Sequence, residues 1–293
     1  MGLATVLAQV AAGVVALHLL GLVAVVGRDG LAGAPGRVRA NLRAVAPTLG
    51  LLVVVLAVNG VVRDVGVELS WLIGVNITGA IHALEGGFVA WVQSLATPPL
   101  TTYFSAVYVF GYAFLLTFPV VAYLACRSDR PVRTLLVAYA VNYALGLVCY
   151  VLFVSYGPRN VTPEAVDSLL YAHWPQAQLL TGRVNRNTNV FPSLHTSLSV
   201  TVALVAYRYR EVYPRWTPVA AALAGSIAVS TMYLGIHWAT DVVAGAALAA
   251  VAVAVGLRVT APAGESADPV DGADPADGAT GRWTDRVADW IRE

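Results

Sequence analysis

His237 and Asp241 stand four residues apart within S-T-M-Y-L-G-I-H-W-A-T-D-V-V-A-G, residues 230–245, a run otherwise apolar enough to lie in a membrane. On one continuous helix that spacing stacks the two side chains on a single face, and Ser230, seven residues before His237, falls there too. An ionisable pair is costly in lipid, so by default it marks a functional position facing the bundle interior or a water-filled cavity. A carboxylate beside an imidazole fixes its tautomer and raises its basicity. The competing reading is a buried pair that only ties helices together.

A second stretch, F-P-S-L-H-T-S-L-S at 191–199, adds another histidine. Pro192 stands where an apolar run begins, and proline suits the first position of a helix. Ser193 and the free backbone N–H groups of that first turn would then point out of the helix end as an anion site, with His195 one turn in. The chain therefore offers two histidines, a carboxylate and a helix N-terminus suited to phosphate.

P-S-L-H followed by S-T-x5-H-x3-D resembles the second and third signature motifs of the type 2 phosphatidic acid phosphatase (PAP2) superfamily, integral-membrane lipid phosphatases related to vanadium haloperoxidases. The leucine of P-S-L-H, where glycine is commoner, resembles the branch that includes inositol phosphorylceramide synthases. The resemblance spans about residues 100 to 257. It implies that His237 attacks phosphorus to form a phosphohistidine while Asp241 holds the far imidazole nitrogen. It implies that His195 protonates the leaving alcohol and later activates water. Ser193, with the backbone at Leu194 and His195, would supply donors to the bound phosphate.

Two departures from the family pattern stand out. The first motif of the family supplies a lysine and an arginine, and this chain has no lysine; Arg159, in G-P-R-N, is the nearest counterpart. Thr231 occupies the place of the third motif's arginine, so Arg183 or Arg186, in R-V-N-R-N, either replaces that clamp or is a plain loop residue. His195, His237 and Asp241 could in principle hold zinc with a water as fourth ligand. The helix start reads better as an anion cradle, so neither a metal nor a cofactor is expected, and vanadate is expected as an inhibitor.

The elements that must position these residues are membrane helices. Hydrophobic residues make up 58% of the 293 and charged ones only 12%, which points to a polytopic membrane protein. The net charge of +1 gives no reason to expect nucleic acid as a partner. All 18 basic residues are arginine, which excludes a Schiff-base lysine and a lysine-led phosphate loop. Cys126 and Cys149 lie in apolar segments and read as small hydrophobes. The first apolar run lacks a basic leader and reads as a retained span.

The expected fold is all-α: a polytopic membrane helical bundle of about seven transmembrane helices with a PAP2/haloperoxidase-like core. Residues 1–64 hold two N-terminal spans, 4–26 and 44–62, and 65–99 read as an interfacial or re-entrant segment. Within that segment His82 and Glu85 either pair or form a solvated helix face. His18, alone in the first span, reads as a packing residue. Residues 100–258 form the catalytic core, with spans at 102–126, 134–154, 191–207, 217–236 and 239–258. Residues 259–280 read as a disordered acidic linker, and 281–293 either as a short amphipathic surface helix or as a frayed end. With the loops at 28–43, 127–133 and 208–215 and the tail inside, the cytoplasmic side holds 14 arginines and the other side four. That bias puts the N-terminus and both histidine motifs outside.

The function expected first is a lipid phosphate phosphatase of the cell membrane, with membrane lipids around it and a lipid phosphate as substrate. The second is a headgroup phosphotransferase in which an alcohol such as inositol replaces water. The third is a non-catalytic membrane protein with a decayed site. The sequence sets no oligomeric state.

Overall fold

A computed structural model describes residues 2–181 and 190–262. Arg183, Arg186 and the segments assigned to the acidic linker and terminal surface helix, from residue 263 on, lie outside the described residues.

Helix α1 (Leu3–Gly21) runs through a π-helical turn, Leu22–Val26, and is followed by α2 (Ala34–Ile73). The two-residue strand β1 (Val75–Asn76) leads to the short helices α3 (Thr78–Glu85) and α4 (Phe88–Ser94). Next come α5 (Pro98–Leu124), interrupted by the π-helical turn Val107–Gly111, then α6 (Arg130–Leu152) and strand β2 (Phe153–Val154). Helices α7 (Leu194–Arg208), α8 (Trp216–Tyr233) and α9 (Ala239–Val259) complete the bundle. Prolines open α2, α5 and α6, where the missing N–H costs no helical bond.

Among the described residues, five helical stretches are long and apolar enough to cross a membrane: Leu3–Leu31, Ala34–Val62, Pro98–Leu124, Arg130–Leu152 and Ala239–Val259. The protein is therefore an all-α integral membrane bundle. The count of about seven is not reached by this measure. Helix α7 has only 15 residues, about 22 Å of rise, because it starts after Ser193 and ends before Tyr209. Helix α8 has the length, but Thr217, Ser226, Ser230 and Thr231 dilute its apolar character.

Helix α2 continues past residue 64 without a break. Arg63 and Asp64 do not stop it; the chain leaves the helix only at Gly74, where a methyl group would sit 2.4 Å from the Ser70 carbonyl oxygen. β1 then pairs in parallel with β2, Val75 opposite Phe153 and Asn76 opposite Val154. The pairing satisfies backbone where two long helices end side by side.

Helix α7 lies inside the bundle against α6, α8 and α9, with Leu198, Val202 and Val205 buried. Asn142 of α6 donates to Thr201 Oγ1 at 2.9 Å and accepts from the Ser197 hydroxyl, so polar side chains join the two helices inside an apolar core. His18 packs edge-on against Phe114 at 5.4 Å and hydrogen-bonds within its own helix to the Val14 carbonyl, 2.8 Å away.

The arginine-rich ends gather at one end of the bundle. Arg37 donates to the Ala125 carbonyl at 2.6 Å and Arg215 to that of Ala24 at 3.2 Å. Thr134, Tyr209 and Thr260 join hydroxyls there, with Thr134 Oγ1 2.8 Å from Tyr209 and 2.7 Å from Thr260. The N-termini of α7 and α9, the C-terminus of α8 and the paired strands lie at the opposite end.

Candidate active site

The stretch 230–245 is not one helix. Helix α8 ends at Tyr233, Gly235 takes a left-handed turn at φ +72°, and α9 begins only at Ala239. The side-chain stacking expected from a continuous helix therefore gives way to a corner. Ser230 turns its hydroxyl to the Ile227 carbonyl of its own helix, 2.7 Å away, and takes no part in the His–Asp pair. His237 and Asp241 still meet, because Asp241 is the third residue of α9 and reaches back over the helix start. Its Oδ2 accepts the Trp238 N–H at 2.9 Å and lies 3.4 Å from His237 Nδ1. Asp241 is fully buried and His237 nearly so. The 3.4 Å separation is long for a hydrogen bond.

Thr231, where the family carries arginine, holds the corner's backbone. Its carbonyl accepts the N–H groups of Ile236 at 2.9 Å and His237 at 3.1 Å, and its hydroxyl donates to Ala228 at 2.7 Å. It offers nothing to a phosphate.

Pro192 does not open α7. Ser193 is the N-cap: its Oγ accepts from the Thr196 N–H at 3.3 Å and from the Thr196 hydroxyl at 3.1 Å. Its own O–H and the N–H groups of Leu194 and His195 are left as donors at the helix start. Ser193 also donates its backbone N–H to the Asp241 carbonyl at 3.0 Å, joining the starts of α7 and α9. The helices touch where Gly245 passes Ser193; a methyl group there would lie 2.5 Å from the Ser193 carbonyl oxygen.

The His195 imidazole stands between two tyrosine rings, stacked on Tyr108 at 4.6 Å and tilted against Tyr112 at 4.4 Å. Both rings come from the π-helical turn of α5 and its edge, an irregularity often found at functional sites. The His195 and His237 ring centres lie 6.4 Å apart.

Arg159 lies in the one-turn helix Pro158–Val161, pressed against the His237 corner. Its N–H donates to the Gly235 carbonyl at 3.3 Å, and a methyl on Gly157 would lie 2.4 Å from the Ile236 carbonyl oxygen. The guanidinium sits 5.0 Å from the centre of the Tyr171 ring, with its Nη1 buried and without a hydrogen-bond partner among the described residues. Such an atom is suited to an anion.

Glu85 is the residue that sequence reasoning missed. It does not share a solvated face with His82. Its carboxylate accepts the N–H groups of Ala239 at 2.9 Å and Thr240 at 2.5 Å, and the His82 ring packs edge-on to Trp238 at 5.8 Å. One signal was available: Trp238 cannot cap the helix it precedes, so the buried start of α9 needs an acceptor from elsewhere. Among the described residues, no group of three or more His, Cys, Asp or Glu side chains is placed to hold a metal ion.

Two histidines and a carboxylate thus meet at adjoining helix starts of an all-α membrane bundle. The chain belongs to the PAP2 superfamily, whose family model matches residues 77–255. The match begins well before residue 100 and so takes in Glu85 and α4. No curated protein and no solved structure matches the chain.

Proposed function

We propose that the protein is a lipid phosphate phosphatase that works through a phosphohistidine on His237. The observation that carries this reading is the convergence of His195 and His237, 6.4 Å between ring centres, with Asp241 behind His237. Because Nδ1 of His237 faces Asp241, Nε2 is the nitrogen free to attack phosphorus. The P–N bond forms as the P–O bond to the lipid alcohol breaks, and His195 delivers the proton that the departing oxygen needs. Asp241 stabilises the positive imidazole that results. His195, now neutral, takes a proton from water. The hydroxide equivalent attacks phosphorus, the P–N bond breaks, and inorganic phosphate leaves with His237 restored.

Charge on the three equatorial oxygens is met by the Leu194 and His195 N–H groups, the Ser193 hydroxyl and the Arg159 guanidinium. In this reading α7 and α8 cross together with the five longer helices, giving seven passes. The arginine-rich end then lies in the cytoplasm and the site on the outer face.

A second reading, transfer of the phosphoryl group to a headgroup alcohol, shares every step up to the acceptor. Leu194 of P-S-L-H and Thr231 in the place of the third motif's arginine favour it.

The test uses purified protein with phosphatidate and polyprenyl phosphate in detergent, with and without inositol, and with EDTA present. Phosphate release and an acid-labile phosphoenzyme, both lost in His237→Ala, support the phosphatase. A new phospholipid that appears only with inositol selects the transferase. Turnover that survives His237→Ala overturns both.

A further inference from the structure

We infer that the α3–α4 segment is a brace for the nucleophile, with Glu85 and Gln93 as positioning residues that clamp the two ends of the turn carrying His237. The inference rests on His237 being the nucleophile, as proposed above.

The turn between α8 and α9 is short, and one side chain from the same segment holds each of its ends. At the far end Glu85 accepts the first two N–H groups of α9, those of Ala239 and Thr240, at 2.9 and 2.5 Å. At the near end Gln93 donates to the carbonyl of Tyr233, the last residue of α8, at 3.0 Å. The Gln93 amide is itself held by the Asp167 backbone, donating to its carbonyl at 2.9 Å and accepting its N–H at 2.8 Å. Gly235, in the middle of the turn, seats directly on this amide; a methyl there would lie 3.1 Å from the Gln93 nitrogen.

The chemistry suits each end. A carboxylate at a helix N-terminus meets orphan N–H groups and the positive end of the helix dipole. An amide N–H at a helix C-terminus meets an orphan carbonyl. Neither Glu85 nor Gln93 contacts the His237 ring. They set where the ring can be, because a five-residue turn (234–238) pinned at both ends leaves the intervening residues little freedom.

The experiment uses the full chain in detergent, with Glu85→Gln, Glu85→Ala and Gln93→Leu compared with wild type. Kinetics on short-chain phosphatidate are normalised to folded, monodisperse protein, and hydrogen exchange is followed across 234–242. Glu85→Ala should lower kcat by about 10- to 100-fold with KM within about threefold, and should speed exchange at the Ala239 and Thr240 amides. Glu85→Gln keeps one acceptor oxygen, folds if Glu85→Ala does not, and should fall between. Gln93→Leu should lower kcat in the same sense. Unchanged kcat per folded molecule in the Glu85 variants overturns the brace, as does a rise in KM alone or unchanged exchange. Wild-type protein with no turnover sinks the phosphatase reading instead, and the exchange measurement still decides whether Glu85 holds the turn.

Discussion

Ser193 gives its backbone N–H to the carbonyl oxygen of Asp241 at 3.0 Å, so the helix starts that carry the two histidine motifs are joined through the main chain. In the proposed mechanism the anion cradle and the nucleophile's carboxylate therefore share one frame, and no substitution at Ser193 other than proline removes the donor of that bond. Ser193→Ala should retain the His195–His237 geometry while losing the helix cap and one donor. The expected result is about 1 kcal/mol of lost stability and weaker phosphate binding, read from thermal unfolding and from competition by inorganic phosphate.

Asp241→Asn separates geometry from charge. The amide oxygen can still accept the Trp238 N–H, so α9 keeps its start, but the positive imidazole of the intermediate loses its counter-charge. A fall in kcat of about 100- to 10,000-fold is expected, measured with folded protein and accompanied by slower formation of the trapped phosphoenzyme.

Gly245→Ala tests the contact between α7 and α9. The added methyl would meet the Ser193 carbonyl oxygen at 2.5 Å, and backbone on both sides leaves it nowhere to turn. A cost of about 1–3 kcal/mol is expected. It should appear in thermal unfolding together with lost activity, because the displacement separates His195 from His237.

The tyrosine pair around His195 should act by orientation. Tyr112→Leu removes one ring face, and an aromatic contact of this kind is worth about 0.5–1.5 kcal/mol beyond its area. A kcat loss of up to about tenfold follows, with Tyr112→Phe close to wild type. A large loss in the Phe variant would show instead that the phenol takes part in proton transfer.

Arg159→Lys and Arg159→Ala distinguish charge from planarity. Alanine should cost about 100-fold or more in kcat/KM. Lysine should recover only part, since it neither stacks on Tyr171 in the same way nor offers a planar fork. Thr231→Arg, which restores the family's third-motif residue, should not raise activity. Thr231 is fully buried with its hydroxyl committed to α8, so the new charge would be buried without a partner.

The parts of the site that could be read from sequence are the local ones. His237 and Asp241 are close in the chain, so their meeting survives even though the helix between them does not exist. Ser193 and His195 lie within one helix start. The corner falls at the expected junction of the spans 217–236 and 239–258, and it turns on the positive φ of Gly235. Glu85 was out of reach for a different reason: 154 residues separate it from Ala239, and no periodicity links a carboxylate to an unfilled helix start that far away. The second span does end at Val62, where the charges at 63 and 64 place its edge, but the helix itself runs on to Ile73 because nothing in the backbone stops it before Gly74.

The turn carrying Arg159 and the turn carrying His237 are pressed backbone to backbone, through the Arg159 N–H on Gly235 and the close fit of Gly157 to Ile236. For protein engineering this divides the molecule into two territories. Under the proposed function, substitutions made to admit a bulkier headgroup belong at Tyr108 and Tyr112 of α5, whose side chains pack on His195. At the Gly157–Ile236 seam, a library would sample misassembled enzymes rather than new substrates.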